Sequence, residues 1–518
     1  MFTPITQELV LVGGGHSHAL VLRMWGMNPL PGVRLTLISD GYDTPYSGML
    51  PGHVAGIYER DECYIDLHPL AQFADAQFYV DQVVGIDLEQ RQVLCRDRPP
   101  VKFDVLSLDV GSTPQVSATV APELASHAIP AKPIGQFLER WQQLQKAVQQ
   151  SEDSTNIAII GGGVGGVELA LAMDAHLKHQ AQFHLIHRQP ELLPSHNRWV
   201  RRQLRRELKQ RQVQLHLGET AIAHQSPNHL HCQSGLMIPC DWSIWVTEAG
   251  AAPWIKNAGL ATDDRGFLAV NEHLQSRSHP FIFGAGDVAT LTQTPHPKAG
   301  VFAVRHGKPL FHNLRAYLQG QPLQPYRPQR TYLSLIGTGD GRAIASRGWL
   351  GTQGKWVWRW KDKIDRQFMA QFQNLSPMGE VQSSRSSNAL ESPVMFCAGC
   401  GSKVGRHTLN QVLARLETSP QSNKQVNKQS KNILTGLDAP DDAAIWQPPG
   451  DRPLVQTIDY FRSPLADPYR FGQIAANHCL SDLFATGATP HRVLALATIP
   501  YGSPKIQEET LYQLLCGV

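Results

Sequence analysis

Cysteine, net charge and long apolar runs are all scarce in this sequence. Eight cysteines in 518 residues are too few and too dispersed for a disulfide framework, which favours a reducing, cytoplasmic setting. The net charge of +3 indicates neither nucleic acid nor an anionic membrane as a partner. The most apolar long stretch, 157–173, is interrupted by glycines and by Glu168, so no transmembrane helix is predicted there. Residues 1–7 have no basic segment of the kind that begins a secretory signal.

The stretch 9–24 has the pattern of a buried strand, a glycine turn and a helix. The turn contains three consecutive glycines, Gly13, Gly14 and Gly15. Glycines let the backbone approach a pyrophosphate, and the N–H groups at the helix start point at it. Asp40 follows the next predicted strand and is placed to bind a ribose 2′-OH. His18 replaces the third glycine of G-x-G-x-x-G, and a tight turn that binds nothing is the alternative interpretation.

A second stretch, 156–169, repeats this pattern with a complete set of motif glycines, Gly161, Gly163 and Gly166. Two such loops imply two dinucleotides. The strand after the second loop ends at His187-Arg188, so the position that is acidic in the first copy is neutral or basic here. An acid favours NADH and an arginine favours NADPH, and the sequence leaves both open. Glu168 either faces the nicotinamide or is an ordinary carboxylate near a helix N-terminus.

A third stretch, 280–289, predicts a short buried strand that ends in Gly286-Asp287 and precedes a helix over 300–313. Together with the two loops, it resembles the two-dinucleotide FAD oxidoreductases, especially the type II NADH dehydrogenase and sulfide:quinone reductase branch. The resemblance covers about residues 6–375 and implies an α/β fold with two Rossmann-like domains. It also implies that Asp287 binds the FAD ribitol. The turns at 104–114, which contain Gly111, and at 245–253 match crossovers between the two domains of that family.

The disulfide reductases of this group carry a redox cysteine pair spaced C-x₄-C, and this sequence has none in the corresponding region. Cys63 and Cys95 stand alone and are interpreted as inert thiols. Electron transfer from FAD to a quinone or another diffusible acceptor is therefore the favoured interpretation. The segment 43–52, bounded by prolines and glycines, is expected to form neither helix nor strand.

Two further helices are predicted from apolar periodicity. Residues 198–211 carry six arginines beside an i, i+4, i+8 apolar stripe, which favours a solvated helix face over a nucleic-acid site. Residues 355–372 are flanked by bases and carry an i+4 series of apolar side chains, Trp356, Trp360, Ile364, Phe368 and Phe372. The series suits peripheral membrane contact, which the resemblance to type II NADH dehydrogenases implies, or packing on the protein itself.

The sequence changes character after a serine-rich linker. Cys397 and Cys400 have the spacing of half a zinc site, but no second pair follows. Alternatively, Cys400 is a nucleophile whose thiolate is favoured by Lys403. Three acidic clusters follow, centred on Asp442, Asp459 and Asp482. If the fold brings these acids together, their oxygens could bind Mg²⁺ ions on a triphosphate. Alternatively, each is an ordinary surface acid.

Residues 395–518 resemble the N-terminal domain of selenide, water dikinase (selenophosphate synthetase), a PurM-like ATP-dependent family. The resemblance implies that Cys400 and Lys403 are catalytic and that the three aspartates bind Mg²⁺–ATP. It implies the conversion of ATP, selenide and water to selenophosphate, AMP and phosphate. That family continues into a glycine-rich phosphate loop, another metal-binding aspartate and a second domain. The kinase half is therefore expected to be incomplete in this sequence.

The sequence predicts a fusion of two enzymes. Its expected parts are an FAD-binding domain (1–115 and 256–325), an NAD(P)-binding domain (116–255), a C-terminal interface domain (326–375), a linker (376–392) and a truncated α+β PurM-like domain (393–518). The flavin half would reduce a selenium species and supply selenide to the kinase half. Alternatives are an NAD(P)H:quinone oxidoreductase with a non-functional appendage, and a flavin-bound scaffold for selenium-handling partners. We expect a cytoplasmic homodimer, with contact to the inner face of a membrane left open.

The cofactor assignments follow from the two loops and the two resemblances. The residues expected to bind FAD are Gly13, Gly14, Gly15, Asp40, Gly111 and Asp287. The residues expected to bind NAD(P)H are Gly161, Gly163, Gly166 and Glu168.

Overall fold

The computed structural model describes residues 3–114, 127–178, 180–226, 229–247, 249–329, 331–375, 406–418, 433–435, 445–446, 455–459 and 461–518. Within them, helices α1 to α13 are His16–Met27, Leu50–Val54, Arg60–Cys63, Leu67–Phe73, Ile134–Gln150, Val164–Leu177, Arg198–Gln210, Pro253–Asn257, Gly300–Leu318, Lys355–Gln373, Arg406–Thr418, Pro468–Ala485 and Pro504–Gly517. Strands β1 to β27 are Gln7–Val12, Val33–Ser39, Asp43–Pro45, Tyr64–Asp66, Gln77–Val80, Val83–Asp87, Gln92–Cys95, Val101–Lys102, Val105–Leu108, Thr113–Pro114, Ala128–Pro130, Thr155–Ile160, Ala181–His187, Gln214–Leu217, Ala221–Ser226, His229–Cys232, Met237–Pro239, Trp242–Trp245, Ala249–Gly250, Leu268–Val270, Ile282–Gly284, Ala289–Leu291, Ser334–Gly337, Ala343–Arg347, Leu350–Gly354, Ile433–Thr435 and Ile445–Trp446.

The first glycine loop lies in a parallel five-stranded sheet with the strand order β21-β9-β1-β2-β5. Residues 9–12 of β1 are buried, as expected for a strand that is covered on both faces. Helix α1 packs against α9 and α4. Because β1 has the next strand, β2, on one side and β9 on the other, the loop lies at the topological switch point, where such sheets bind ligands. We call this unit the first domain.

The second glycine loop lies in another parallel sheet, with the order β11-β18-β12-β13-β14. Strand β12 again lies between its successor in the chain and a distant strand, so the two loops occupy equivalent positions. Helix α6 is buried along most of its circumference, since it lies against its own sheet and also contacts α2 and β23. We call this unit the second domain. The predicted α/β fold with two Rossmann-like units is confirmed.

A small antiparallel sheet, β23-β24-β25, and helix α10 follow the two domains. Helix α10 packs on all three strands and also contacts α3 and β4 of the first domain. The predicted apolar stripe of α7 is also present, since Val200, Leu204 and Leu208 are buried. No helix among the described residues combines the length and the apolar character that a membrane-spanning segment requires.

The expectation that 43–52 contains neither helix nor strand was wrong. Residues 43–45 form β3, which pairs with β4, and α2 begins at Leu50. Proline and glycine residues did not prevent this, because Pro51 lies in the first turn of α2, where its missing N–H is not needed.

The described part of the C-terminal segment, 406–518, centres on three helices. Helix α13 packs against both α11 and α12, and Val412, Leu511 and Tyr512 form a small buried cluster. Helices α12 and α13 approach closely, since a Cβ on Gly472 would lie 2.2 Å from the carbonyl oxygen of Leu514. The segment contacts the first domain, where the N–H of Ser503 donates to the Ile5 carbonyl at 2.8 Å. Cys400, Lys403 and Asp442 lie outside the described residues.

Candidate functional site

The first glycine loop leaves no room for side chains. Gly13 has φ +92°, and a Cβ there would lie 2.5 Å from the carbonyl oxygen of Asp109. A Cβ on Gly15 would lie 2.4 Å from the Asp109 carboxylate. The turn therefore requires glycine at both positions, because its backbone lies directly against Asp109.

His18 is fully buried and links the loop to the neighbouring strand. Its Nδ1 lies 2.7 Å from the Gly13 carbonyl oxygen, and its Nε2 lies 2.8 Å from Oγ of Ser107 on β9. A carbonyl only accepts, so Nδ1 carries the proton and Nε2 accepts the Ser107 hydroxyl. Burial lowers the pKa of His18 to about 4, which keeps the ring neutral at physiological pH. The side chain that breaks the glycine motif is thus a structural bridge.

Asp109 was not assigned a role from the sequence, although it lies beside this loop. Its carboxylate accepts from the N–H groups of Ser17 at 2.8 Å and His18 at 3.1 Å, at the start of α1. The side chain is 3% exposed, and burial raises its pKa to about 7. This carboxylate therefore binds two of the helix-start donors that an anion would otherwise use.

Three of the residues predicted to bind FAD lie around this loop. Asp40 lies at the carboxyl end of β2, where it is exposed. Asp287 lies in a single 3₁₀ turn and accepts from Nζ of Lys132 at 2.7 Å. Gly111 has φ +71°, and no atom of the described residues lies within 4 Å of the position of a Cβ. Lys132 was missed because nothing in its local sequence distinguishes it, and it reaches Asp287 only through the contact between the two domains.

His16 supports the fit of a polar cofactor at this position. Its Nε2 is buried and has no hydrogen-bond partner among the described residues. Asp287 and Lys132 are close enough to act on the ring electrostatically, and burial lowers its pKa to about 4. Buried polar atoms are rarely left unpaired, so this nitrogen indicates a missing partner. The open space at Gly111 and the glycine turn are compatible with a dinucleotide.

The second loop shows a stricter geometry than the first. Gly161 has φ +127°, and a Cβ on Gly166 would lie only 1.8 Å from the Gly161 carbonyl oxygen. Gly163 has open space, with no described atom within 4 Å of a Cβ position. The N–H of Gly162 donates to Nδ1 of His187 at 3.2 Å. A neutral imidazole thus lies beside this loop, where the first domain has Asp40, and the loop fits a second dinucleotide.

Glu168 lies against the small third sheet. Its Oε1 accepts from the N–H of Gly337 at 2.7 Å, and the surrounding protein raises its pKa to about 7. The ammonium of Lys361 partly offsets this rise. Lys361 is 6% exposed and donates to Asp365 and to the Gly48 carbonyl, both at 2.6 Å. We call Tyr46, Glu168, Lys361 and Asp365 the junction cluster, because it joins both domains to α10.

Lys361 of the junction cluster lines a small void with no room for a water molecule. Tyr46 donates its hydroxyl proton to Asp365 at 3.2 Å. The void is also lined by Pro51, Gly52, Gly337, Gly339 and Trp358. From the sequence, Glu168 was expected either to face the nicotinamide or to be an ordinary carboxylate near a helix N-terminus. Lys361 and Asp365 were missed, because they are i, i+4 neighbours within the helix predicted to be amphipathic.

The cysteines of the first domain are not reactive groups in this structure. Burial raises the pKa of both Cys63 and Cys95 to about 12. Neither lies in a pair, which agrees with their interpretation as inert thiols.

The apolar series of α10 is divided between two environments. Trp356, Trp360 and Ile364 are 54%, 41% and 39% exposed. Phe372 is buried, and Phe368 packs on Tyr46 with ring centroids 4.5 Å apart. The first half of the helix therefore presents an apolar face to solvent, while the second half packs on the first domain.

Two of the predicted magnesium ligands lie near α12. Asp482 accepts from the hydroxyl of Thr457 at 3.0 Å, and Asp459 lies 3.7 Å from Nε2 of His478. His478 and Asp482 lie one turn apart on α12, so Asp459 and Asp482 are brought to the same helix. The described residues contain no group of three or more His, Cys, Asp or Glu side chains placed to hold a metal.

Residues 7–307 match the family of pyridine nucleotide-disulphide oxidoreductases. Because the match spans more than half of the chain, this protein belongs to that family. Residues 440–518 match the N-terminal domain of AIR synthase related proteins. The chain is therefore an oxidoreductase of this family joined to a PurM-like segment.

Three similar proteins illustrate the two parts. The selenide, water dikinase of Agathobacter rectalis is 40% identical over 109 residues, which are 21% of this chain and 30% of that protein. The demethylphylloquinone reductase NdbB of Synechocystis sp. is 27% identical over 278 residues, 52% of this chain and 68% of that protein. The sulfide:quinone oxidoreductase structure from Aquifex aeolicus has a TM-score of 0.60 at 18% identity, and the match covers 72% of this chain and 93% of that one. The chain thus spans about a third of the dikinase length.

Proposed function

We propose that the chain is an FAD-dependent NAD(P)H oxidoreductase that reduces a small diffusible acceptor, fused to the first part of a selenophosphate synthetase. The observation that carries the first half of the proposal is the pair of glycine loops at equivalent switch points, one in each domain. The dikinase relatives support the second half, although the chain spans only about 30% of their length.

The residues around the first loop fit FAD. Gly13, Gly14 and Gly15 would lie against the pyrophosphate, Asp40 would bind the adenosine ribose, and Asp287 beside Gly111 would bind the ribitol. The second loop, Gly161, Gly163 and Gly166, would bind NAD(P)H. When bound, the two cofactors supply the hydride chemistry, while the protein positions them and excludes water. NADH and NADPH both remain open, since this position has no acid to favour NADH, and the arginine that would favour NADPH, Arg188, follows the neutral His187.

The junction cluster supports reduction of a proton-consuming acceptor. Glu168 has a pKa of about 7, so a fraction of it carries a proton at neutral pH. Lys361, which donates to Asp365, provides a cation beside it. Reduction of a quinone, or of selenite or elemental selenium, takes up protons together with electrons. We assign Glu168 to proton supply at the acceptor side instead of to contact with the nicotinamide.

The PurM-like segment would bind Mg²⁺–ATP through Asp442, Asp459 and Asp482. Carboxylate oxygens are the ligands that Mg²⁺ prefers, and Asp459 and Asp482 lie near the same helix. Cys400 and Lys403 would act on selenium. In the fusion, the oxidoreductase would produce selenide for this segment.

The deciding experiment uses the full chain purified with FAD. Visible flavin absorbance that NADH or NADPH bleaches, followed by turnover with selenite or elemental selenium, is the expected result. Turnover with a quinone and none with selenium would favour an NAD(P)H:quinone oxidoreductase with a non-functional appendage. Bound flavin that neither nucleotide bleaches would favour the scaffold alternative. Colourless protein that takes up no FAD would contradict the whole proposal.

The exposed face of α10 supports peripheral membrane contact as a second property. Trp356 and Trp360 stack with ring centroids 6.4 Å apart, and exposed bases flank them. We expect the change of both tryptophans to serine to reduce co-sedimentation with liposomes containing anionic lipids. Tyr501→Ser, which alters another exposed aromatic side chain, serves as the control. Equal partitioning of all three proteins would contradict membrane contact through α10.

The expected homodimer stays a prediction.

A further inference from the structure

A charged contact joins the C-terminal segment to the first domain, and neither proposed reaction centre uses it. The contact involves the residues around β8 on one side and the N-terminal parts of α12 and α13 on the other. Its ion pairs are Arg98–Asp467, Lys102–Glu508 and Asp104–Lys505. The partners lie about 370 to 410 residues apart in sequence, so the contact exists only when both parts are folded and docked.

The pair Arg98–Asp467 is the buried centre of this contact. The two side chains are 3% and 7% exposed, and the guanidinium binds both carboxylate oxygens, at 2.8 and 3.2 Å. It also donates to Gln513 at 3.0 Å and lies 3.5 Å from the centroid of the Tyr79 ring. A bidentate pair enclosed by an aromatic ring permits one relative orientation of the partners.

Asp467 also fixes the start of α12. It is the N-cap residue, and the same carboxylate accepts from the N–H groups of Tyr469 and Arg470 at 3.0 and 3.2 Å. The anchor of the helix in the first domain is therefore also its N-cap. Any displacement of Arg98 is transmitted to the first turn of α12.

The opposite half of α12 carries His478 and Asp482. An α-helix rises about 1.5 Å per residue, so Asp482 lies about 22 Å along the axis from Asp467. Asp482 contacts Thr457, and His478 contacts Asp459, as described above. The helix thus connects a buried anchor in the oxidoreductase to the acidic pair of the PurM-like segment.

Helix α13 keeps this connection stiff. Gln513 donates to the Pro100 carbonyl at 2.9 Å, and Glu508 accepts from Lys102 and Arg415, both at 2.8 Å. The close crossing at Gly472 prevents α12 from sliding over α13 without a clash. Both helices therefore follow the first domain as one unit.

We propose that Arg98 of the oxidoreductase is a positioning residue for Asp459 and Asp482 of the PurM-like segment. This inference rests on the proposed Mg²⁺–ATP role of these acids. Arg98 touches no reacting group, and it acts only through Asp467 and α12. As a consequence, the first domain sets the geometry of the phosphate-binding side, and the two reaction centres keep a fixed relative orientation.

Two variants of the full chain separate the ion pair from the N-cap. Arg98→Gln removes the cation and leaves Asp467 as the cap, whereas Asp467→Asn keeps a good N-cap residue and removes the carboxylate charge. Arg202→Gln, on the exposed side of α7, is the matched control. Flavin absorbance and its bleaching by NADH report whether each protein is folded in its first two domains, and they should match the wild type.

The first readout is hydrogen–deuterium exchange of the amides in 474–485. We expect Arg98→Gln and Asp467→Asn each to accelerate it about tenfold, because an unpaired buried charge loosens the anchor. The second readout is Mn²⁺ binding in the presence of ATP, which we expect both variants to weaken about tenfold, with partial recovery in Arg98→Lys. If either variant does not fold, the other one decides the comparison.

The outcomes separate the two proposals. Exchange over 474–485 that is the same in both variants, the control and the wild type would overturn the positioning role of Arg98. Wild-type protein that binds no Mn²⁺ with ATP would overturn the proposed metal role. The exchange comparison would still decide whether Arg98 holds α12.

Discussion

The two glycine loops follow the same motif but solve the same packing problem in different ways. In the second loop the helix approaches the turn so closely that a Cβ on Gly166 would lie 1.8 Å from a backbone oxygen. In the first loop His18 takes the equivalent position, and its ring connects the Gly13 carbonyl to Ser107. One loop depends on the absence of a side chain, and the other depends on two buried hydrogen bonds.

Each loop also has an acid nearby with a pKa of about 7, but the two acids face different partners. Asp109 turns toward the N–H groups of α1, whereas Glu168 turns away from its loop toward Gly337 of the third sheet. Burial raises the pKa of both carboxyl groups, although their hydrogen-bond partners differ. Of the two, Glu168 contacts the third sheet, and it is the acid to which we assign proton supply.

The largest expected effect tests the steric requirement of the second loop. Gly166→Ala forces the helix away from the turn, and we expect it to weaken NAD(P)H binding about a hundredfold, which is about 3 kcal/mol of binding free energy. The control is Gly165→Ala, because a Cβ there meets only a side-chain methyl of Val246, at 3.5 Å. Stopped-flow bleaching of the flavin at varied NADH measures the effect. Similar affinities of the two variants would remove the contrast between the loops.

The next effect tests the hydrogen-bonded bridge of the first loop. His18→Ala removes two buried hydrogen bonds and leaves a cavity, so we expect a loss of about 2 to 3 kcal/mol in stability together with weaker flavin retention. Ser107→Ala removes one hydrogen bond and should cost about 1 kcal/mol. Urea denaturation monitored by flavin release compares them. If His18→Ala is as stable as the wild type, the bridge is unimportant.

A kinetic prediction concerns Glu168. As a proton donor with a pKa of about 7, it should make acceptor reduction slow down as the pH rises through 7. We expect Glu168→Gln to lower the rate at pH 6 about tenfold and to flatten the profile, while bleaching of the flavin by NADH stays normal. A variant profile that still falls through pH 7 would assign the proton to another group.

The smallest effect concerns Asp109. Its pKa is about 7 in the folded chain and 3.8 when unfolded, so between these values the folded state binds the extra proton and stability falls as the pH rises. From pH 5 to pH 6, the free energy of unfolding of the wild type should fall by about 1 kcal/mol relative to that of Asp109→Asn. Buried His16 and His18, with pKa values lowered to about 4, contribute the opposite slope in both proteins. Parallel stability curves would contradict the raised pKa.

Local patterns in the sequence were sufficient for the strand, turn and helix units. The runs 9–12 and 157–160 are apolar and β-branched, and each ends in a glycine turn, so the parallel strands and the helix starts could be predicted without a partner. The position of Asp40 followed in the same way, because the end of a strand fixes which edge of the sheet its next residue occupies. The stripe of α7 was predicted correctly for a similar reason.

Contacts between distant segments could not be predicted in this way. Lys132 meets Asp287, and Arg98 meets Asp467, only because separate units dock, and no short-range pattern specifies that docking. The role of His18 was also hidden, because the motif specifies a missing side chain and not the bonds that replace it. Residues 43–52 show the converse: their prolines and glycines suggested a loop, but pairing with 64–66 and a first-turn proline allowed regular structure.

The buried ammonium of Lys361 has a consequence for the order of assembly. It loses its hydration, and its compensating acceptors are Asp365 on its own helix and the backbone of Gly48, which belongs to a different unit. In an isolated α10 this lysine would stay hydrated. The helix can therefore pack in its final position only when the segment around Gly48 is folded and offers its carbonyl oxygen. We therefore expect α10 to dock on the oxidoreductase after the segment around Gly48 has folded.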